Sequence, residues 1–462
     1  MKNQLIFEIG TEEIPAGYLL PALGELKGNM AQSLADLRLT SREINGAATP
    51  RRLVICVEDL LARQPDRTEE ILGPPKKAAF DPAGNPTKAA IGFARSRGVS
   101  IADIKIANTP KGEYLLIRQE QKGRPTEELM VELLPELLKS ISFPKSMHWG
   151  EARTSFARPI QWLLALYNGA VIPFTVDGVG DSADVTYGHR FMAPGAIKIK
   201  DYRQYLDALR VSYVLADPQE RKEAVLREIN RVAQKSGGRI LPDDDLLATV
   251  ANLVESPHAI LGVFEEKFLA LPKDALITSM REHQKYFAIV DEEGRLRPNF
   301  IAVNNTEVKD EGLGAEGHQR VLRARLEDGL FFFRKDLKRK LAERVKDLDG
   351  LIFQARLGSM REKTNRIQAL AGLLAQDLAP DMVEDSKRAA YLAKADLLTE
   401  MVNEFPSLQG LMGRDYAALD GEKPSVAEAI AEHYMPIRAG SGLPTGILGA
   451  LIGMADRLDT IA

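Results

Sequence analysis

Three carboxylates stand close together near the start of the chain, at Glu8, Glu12 and Glu13, where an alternating apolar run gives way to a helical pattern. Such carboxylates could act as general acids or bases together with a histidine, for example His189 or His283. Nothing in the spacing brings these residues together, however, and acidic side chains just before a helix also stabilise its first amide groups and its dipole. We therefore expect Glu12 and Glu13 to complement the start of the helix.

Cations and aromatic side chains occur together in four segments, residues 49–53, 144–162, 186–191 and 279–287. Arginine and lysine neutralise phosphates, and His, Trp and Tyr rings stack on bases or sugars, which are the contacts that RNA recognition uses. Each residue also has a structural interpretation, because an arginine can hold a loop through carbonyl groups and a tryptophan can belong to the core. The pattern as a whole predicts RNA binding, with candidate contacts at Arg51, Arg52, Arg158, His189, Arg190 and Lys285.

A concentrated basic segment follows between His318 and Lys346. It contains ten Lys or Arg residues against four acidic ones, a surplus of six positive charges in a chain whose formal net charge is −4. Apolar residues recur in it at helical spacing and predict a buried stripe, formed by Leu322, Leu326, Leu330 and Phe333. The opposite face is either a solvated helix surface or a binding surface for RNA or a partner, and we add Arg334 and Arg339 to the candidate RNA contacts.

Several sequence motifs that carry chemistry in other proteins are missing. The sequence has no Gly-x-x-x-x-Gly-Lys phosphate loop, no dinucleotide fingerprint after a strand, no His-Glu-x-x-His motif and no cysteine pair for zinc. We therefore expect no catalytic residues, no metal ion and no other cofactor bound by this chain.

Length and composition restrict the class of protein. A chain of 462 residues exceeds what one core usually organises, so about three domains are expected. The sequence is 45% hydrophobic and 27% charged, with one cysteine, no secretory leader and no apolar run long enough to span a bilayer. These features indicate a cytoplasmic protein with no membrane partner. The negative net charge argues against indiscriminate coating of nucleic acid, and we expect no DNA partner.

The order of the elements predicts a multidomain α+β protein, a mixed α/β N-terminal region followed by an all-α domain. Residues 1–317 mix strands and helices, with a subdomain break near residues 60–110, where Gly and Pro are frequent. Residues 318–348 form a basic helical connector, and residues 349–462 show helical patterns with no convincing strand. Strands are predicted near residues 5–9, 52–57, 114–118, 287–290 and 300–304, helices at 126–140 and 218–236, and a hairpin turn at 291–294.

Separate stretches over almost the whole length resemble the β subunit family of the bacterial tetrameric glycyl-tRNA synthetases. They begin with Phe7-Glu-Ile-Gly-Thr-Glu-Glu-Ile-Pro15 and continue, in the family's order, at residues 49–53, 156–162, 188–191, 283–287, 320–326, 357–359, 394–410 and 455–459. The resemblance implies an α2β2 glycine–tRNA ligase whose α subunit holds the class II catalytic core and uses ATP and Mg²⁺. The β subunit would bind and position tRNA(Gly) and would lack the aminoacylation site. Family chains continue into a C-terminal anticodon-binding domain, so the resemblance also implies that this chain is truncated before that domain.

The helical last part of the chain resembles the HD phosphohydrolase fold, in which a first His, a His-Asp pair and a later Asp hold a metal. Lys363 falls at the first His, Ala395-Asp396 replaces the pair, and Asp456 matches the last Asp. Lysine and alanine are no metal ligands here, which leaves two carboxylates and at most His433. We expect a degenerate HD domain reused as a docking surface. The alternative function is a metal-dependent phosphohydrolase, and a third is hydrolysis of mischarged tRNA by the mixed region.

Overall fold

A computed structural model describes residues 3–82, 84–151 and 153–461 of the chain. The fold is mixed α/β, with helices and several small antiparallel sheets. The chain divides into two compact units, the first formed by Met1–Arg221 with Asn252–Ser256 and the second by Lys222–Ala251 with Pro257–Ala462. In the part of the chain that is described, no helix has both the length and the apolar character needed to cross a bilayer.

The first unit contains fourteen described strands and five helices, numbered here in chain order. The strands are β1 (Gln4–Thr11), β2 (Glu43–Thr49), β3 (Arg52–Glu58), β4 (Arg67–Pro75), β5 (Lys105–Thr109), β6 (Gly112–Gln121), β7 (Met147–His148), β8 (Ser155–Phe156), β9 (Ile160–Tyr167), β10 (Ala170–Val171), β11 (Thr175–Val176), β12 (Gly180–Asp181), β13 (Val185–Tyr187) and β14 (Ala196–Lys198). The helices are α1 (Ala16–Asp36), α2 (Lys76–Ala79), α3 (Lys88–Ser96), α4 (Thr126–Lys139) and α5 (Tyr202–Val211), with a 3₁₀ turn at Ile101–Asp103.

The central sheet of the first unit is antiparallel, with strand order β10-β9-β1-β3-β2. Leu5, Phe7 and Ile9 point from β1 into a core that α1 and α4 share, as the period of two predicts. The opposite face is covered as well, because Ile6 packs with residues of α5 in a second core. Alternation of apolar residues is typical of a strand with one exposed face, but both faces of β1 are covered, and Glu8, on the second face, is fully buried.

Residues 67–121 have a sheet of their own, with strand order β4-β6-β5. Helices α2 and α3 lie against it, and a small core of Ala79, Ala90 and Leu115 fills the space between them. This is the region in which the Gly- and Pro-rich sequence predicts a subdomain break.

The second unit contains the remaining elements. Its strands are β15 (Arg239–Ile240), β16 (His258–Val263), β17 (Phe287–Val290), β18 (Leu296–Asn304), β19 (Ile352–Gln354) and β20 (Gly358–Ser359). Its helices are α6 (Pro218–Lys235, from Lys222 onward), α7 (Asp244–Ala251), α8 (Lys273–Thr278), α9 (Glu311–Asp336), α10 (Leu341–Arg344), α11 (Met360–Leu378), α12 (Val383–Leu392), α13 (Glu400–Glu404), α14 (Leu411–Leu419), α15 (Pro424–Glu432) and α16 (Ile447–Ile461). Short 3₁₀ segments lie at Glu266–Ala270, Val345–Gly350, Pro380–Met382, Ala395–Leu398 and Pro406–Leu408, and a π turn lies at Ser279–His283.

The second unit joins a sheet to the C-terminal helices through one continuous core. Phe300 of the sheet, Leu326 of α9 and Ile367 of α11 all belong to the same hydrophobic cluster. Helix α9, which spans residue 317, buries its apolar stripe in this shared core. Residues 349–462 are not purely helical, since β19 and β20 pair as a short hairpin.

Candidate nucleic-acid interface

The motif segments near the N-terminus meet around one buried arginine. The Arg52 side chain has no exposed surface, and its guanidinium lies 3.4 Å from the Glu8 carboxylate and 3.3 Å from that of Glu255. It also donates to the Tyr187 carbonyl at 2.9 Å. Burial alone would lower the pKa of Arg52, but Glu255 and Glu8 favour the charged form strongly enough to raise it. The sequence predicts that Arg52 touches RNA, whereas the structure places it in the interior, where it positions the strands around it.

Glu8 is the acidic centre of the same cluster. Its Oε1 accepts from Thr186 Oγ1 at 2.9 Å and from the Tyr205 hydroxyl at 3.1 Å. Burial raises the pKa of the Glu8 carboxyl, and Arg52 and these two hydroxyls oppose that rise. Sequence analysis missed Tyr205 and Glu255 in this role, because neither belongs to a recognisable motif.

His189 is fully buried as well. Its Nδ1 accepts from the amides of Phe191 and Met192 at 3.3 Å, so the ring closes the turn that follows β13. This placement gives His189 a structural contact and no surface for RNA. The buried ring is therefore not placed to make the predicted RNA contact. It shapes the loop that carries Arg190.

Directly outside the buried cluster lies a cavity of about 260 Å³, called here the Tyr187 pocket. It is lined by Arg51, Gln161, Trp162, Tyr187, Gly188, Arg190 and Pro194. The rings of Trp162 and Tyr187 meet edge to face with their centroids 5.1 Å apart. The Arg51 guanidinium lies 5.7 Å from the Trp162 ring centroid, within the range of cation–π contacts.

Two arginines bind the loop that follows β1, namely Arg190 of the Tyr187 pocket and Arg158, which lies outside its lining. Arg190 contacts Glu12 at 2.8 Å and Glu13 at 3.2 Å, and these carboxylates raise the pKa of its guanidinium. Arg158 donates its Nε–H to the Glu13 carbonyl at 3.1 Å. The expectation that Glu12 and Glu13 complement the start of α1 is therefore wrong, since no side chain caps that helix and both carboxylates pair with Arg190.

Lys285, the last candidate of the aromatic segments, belongs to the second unit. It follows the π turn with a positive φ of 58°, and its Nζ donates to the Glu282 carbonyl at 2.9 Å. Its side chain is half-buried, two residues before β17 begins.

The basic segment forms the exposed face of α9, and the buried stripe predicted for it is confirmed at Leu322, Leu326, Leu330 and Phe333. The helix begins at Glu311 and ends at Asp336, so it starts before the predicted connector and stops well short of residue 348. Many of its cations have acidic partners: Arg323 contacts Glu265 at 3.0 Å, Arg325 contacts Glu404 at 3.4 Å and Lys335 contacts Glu400 at 2.5 Å.

A groove of about 460 Å³ lies along the last turns of this helix, called here the α9 groove. It is lined by Glu327, Leu330, Phe331, Arg334, Lys335 and Lys338. Phe331 is 63% exposed. Arg334 and Lys338 form no ion pair with any described residue, whereas Arg339 contacts Asp347 at 2.5 Å. The two candidate contacts on this segment thus differ, since Arg334 is available to a ligand and Arg339 is held within the chain.

Three of the four residues that the HD resemblance singles out lie close together in the second unit, namely Lys363, His433 and Asp456. Lys363 Nζ lies 2.8 Å from Asp456 Oδ1, and Lys394 Nζ lies 2.8 Å from Asp456 Oδ2. Lys394 also donates to His433 Nε2 at 2.8 Å, while His433 Nδ1 donates to the Ile430 carbonyl. Burial lowers the pKa of His433 well below its usual value, so the ring is neutral. Its Nε2 can therefore accept the hydrogen bond from Lys394.

Asp396 stands apart from these ammonium groups in its hydrogen bonding. Its Oδ2 accepts from the Gly410 amide at 2.6 Å and from the Gly413 amide at 3.2 Å, so it caps the start of α14. Burial raises its pKa to about 6. Sequence analysis missed Lys394, although a lysine in the apolar run from Leu392 to Ala395 is a signal of a buried ion pair.

The residues of this centre do not fit a divalent metal. Two ammonium groups occupy the hydrogen-bonding positions around Asp456, and a lysine ammonium has no lone pair to give a cation. Among the described residues, no group of three or more His, Cys, Asp or Glu side chains is arranged to hold a metal ion.

Comparison with known proteins agrees with the resemblance of the motifs. The family model described as "Glycyl-tRNA synthetase beta subunit" matches residues 5–462. A glycine–tRNA ligase beta subunit from Geotalea uraniireducens is 47% identical over 461 residues, and those from Geobacter sulfurreducens and Trichlorobacter lovleyi are 48% and 46% identical over the same length. In each case the match covers 100% of this chain and 67% of the relative. The chain belongs to the glycyl-tRNA synthetase β subunit family.

Proposed function

We propose that this chain, as the β subunit of a glycine–tRNA ligase, binds tRNA(Gly) and positions it for ATP-dependent glycylation by an α subunit. The assembly is an α2β2 tetramer in the cytoplasm, and ATP and Mg²⁺ are used on the α subunit. Relatives of this chain are named as β subunits of glycine–tRNA ligase, which supports an α partner and tRNA as a ligand.

The α9 groove carries the RNA-binding part of this proposal. Arg334 and Lys338 present two cations beside the exposed ring of Phe331. The nearby carboxylate of Glu327 is already bound to Lys267 at 2.5 Å, so it does not neutralise them. Unpaired cations next to an exposed aromatic ring suit a phosphate backbone with an adjoining base or sugar.

The finer domain organisation is part of the proposal. We infer that residues 349–462 are an HD-like domain whose metal centre has been replaced by Lys363 and Lys394 and which serves as a docking surface. The gathering of Lys363, His433 and Asp456 around one point supports this inference. The phosphohydrolase alternative would need a metal at this point, and the ammonium groups leave no ligand set for one.

Charge reversal tests the α9 groove. With the α subunit present, Arg334→Glu is expected to weaken tRNA binding and to reduce the slope of log affinity against log salt by roughly 0.7–0.9, the value for one lost phosphate contact. Arg339→Glu should have a smaller effect, because Arg339 is paired with Asp347. Arg295→Glu, in an exposed turn of the same unit, serves as the control. Equal affinities and slopes for the wild-type and Arg334→Glu proteins would exclude the α9 groove as a phosphate-binding surface.

A further inference from the structure

The Tyr187 pocket differs in charge from the α9 groove. Its exposed cation Arg190 is bound by two carboxylates, Glu12 and Glu13, and Arg52 beneath it is bound by Glu8 and Glu255. These two guanidinium groups are therefore compensated within the chain, whereas Arg51 in the same lining has no ion pair with a described residue. A phosphate would have to compete with carboxylates that are already in place, so the pocket is poorly suited to bind the RNA backbone.

Stacking surfaces and hydrogen-bonding groups are, in contrast, concentrated in the Tyr187 pocket. Tyr187 is 36% exposed and forms one wall, with its ring held edge to face against Trp162. Arg51 contributes a planar guanidinium whose Nε is buried and has no hydrogen-bond partner among the described residues. Gln161 and the backbone of Gly188 complete the lining.

The size of the Tyr187 pocket limits what can enter it. Its volume of about 260 Å³ lies just below the range of about 300–1,000 Å³ that is usual for drug-sized ligands. It has room for one planar aromatic group with polar edges and none for a helix or a strand. An apolar side chain of a partner protein would offer no acceptor or donor to the Arg51 guanidinium or the Gln161 amide in the lining, whereas the edge of a nucleobase carries both.

We propose that the Tyr187 pocket takes one unstacked nucleobase of the bound tRNA, held against Tyr187 by stacking and by Arg51 through its base edge. This inference rests on the proposed function, because it assumes that tRNA is a ligand of the chain. It assigns separate tasks to two surfaces, with base recognition in the Tyr187 pocket and backbone binding in the α9 groove. The inference predicts that a variant without a functional pocket binds tRNA more weakly, while the dependence of the affinity on salt concentration stays unchanged.

The experiment compares Tyr187→Ala and Tyr187→Phe in the ligase assembled with its α subunit, using tRNA(Gly) affinity over a series of salt concentrations. Tyr187→Ala is expected to weaken binding about 5- to 150-fold, the effect of losing one stacked base, with an unchanged salt slope. Tyr187→Phe keeps the ring and should stay within about twofold of wild type. Tyr213→Ala, which removes an exposed tyrosine of the same unit, is the matched control and should bind as wild type does.

A photo-crosslinking residue at position 187 identifies the occupant directly. Crosslinking to one nucleotide of tRNA is the expected result, and crosslinking to the α subunit instead would overturn the inference in favour of a protein contact. Wild-type affinity in Tyr187→Ala, or a salt slope reduced by roughly 0.7–0.9, would overturn it while leaving the proposed function intact. Failure of the wild-type assembly to bind tRNA at all would overturn the proposed function itself, which separates the two conclusions.

Discussion

Replacing Asp456 with asparagine is expected to loosen the helices around the lysine pair of the second unit. Asp456 is the shared partner of two ammonium groups that are nearly inaccessible, since the Lys363 and Lys394 side chains are 4% and 5% exposed. Asparagine offers one acceptor oxygen and turns an N–H donor toward the second lysine. The change therefore removes the carboxylate with which the buried Lys394 is ion-paired, whereas Lys363 keeps its contact with Asp459 at 3.0 Å.

Two estimates of the cost agree in scale. The lysines lower the pKa of Asp456 from 3.8 to about 2, against the opposing effect of burial. At 1.36 kcal/mol for each pKa unit, this depression corresponds to about 2.4 kcal/mol of stability. Breaking a buried ion pair by removing one partner costs roughly 3–5 kcal/mol in measured cases. We expect Asp456→Asn to lower the free energy of unfolding by about 2–5 kcal/mol.

Hydrogen exchange measured by mass spectrometry is the suitable assay, because both tryptophans, at positions 149 and 162, belong to the first unit. Exchange in α11 and α16 should become at least about 50-fold faster in the variant, as a loss of about 2.4 kcal/mol implies. Replacing Lys394 with methionine in the same variant should recover part of the protection, since it removes an unpaired charge.

The pH dependence supplies an independent check on the same residue. Because the folded pKa of Asp456 is depressed, its contribution to stability is present above pH 3.8 and is lost as the pH falls through about 2. The wild-type protein should therefore lose protection in these helices over that window, and Asp456→Asn should not show this part of the loss. Unchanged exchange in Asp456→Asn at neutral pH would refute the view that these ion pairs hold the helices together.

Three further predictions concern single substitutions. Asp396→Asn should stabilise the protein by about 1–3 kcal/mol at pH 8, because a folded pKa of about 6 means that ionisation of Asp396 is unfavourable in the folded state. Thermal unfolding over a pH series should show that this gain in stability disappears below pH 4. Gly10→Ala should lower the free energy of unfolding by about 1–3 kcal/mol and shift the tryptophan fluorescence, because a Cβ at position 10 would lie 1.9 Å from the Trp162 ring. An unshifted fluorescence spectrum would contradict this prediction. Arg52→Met should lower the free energy of unfolding in urea by roughly 3–5 kcal/mol, because it leaves Glu8 buried without its cation. A urea midpoint equal to that of the wild-type protein would contradict a stabilising role for this cluster.

Local elements were predictable where one periodicity or one turn signal decides the structure. The helix predicted at 126–140 occurs as α4, and the turn at 291–294 joins β17 to β18 as expected. The strand predicted at 52–57 is β3. In these segments the apolar spacing and the flanking Gly, Pro or Asp residues agree with the tertiary environment. The local sequence is therefore sufficient to predict the element.

Tertiary burial was not predictable from the same patterns. Leu5, Phe7 and Ile9 indicate one apolar face of β1, but only the packing of α5 on the other side shows that Glu8 is buried. The start of α9 was missed for a different reason, because its apolar stripe begins late. Asp310, whose side chain accepts from the Leu313 amide at 3.0 Å, was the available capping signal.

The RNA-contact candidates also differ in burial and in ion pairing, which their residue types do not reveal. Residue type does not separate a buried Arg52 from an exposed Arg190. It also does not separate Arg334, which has no ion pair with a described residue, from the paired Arg339. That separation depends on carboxylates distant in sequence, such as Glu255. Charge counts along a segment therefore overstate the charge available to a ligand, because intramolecular partners are invisible in them.

The lysine pair supplies positive charge where several helices of the second unit meet. A divalent ion ties together side chains from several helices, and here Lys363 of α11 and Lys394 after α12 supply the positive charge to Asp456 of α16. His433, after α15, accepts a second hydrogen bond from Lys394. An ammonium group can connect helices in this way, but it offers no coordination position at which water could be activated. Under the proposal that residues 349–462 are an HD-like domain, the lysine pair would keep the structural part of a metal's role and would lack its chemical part.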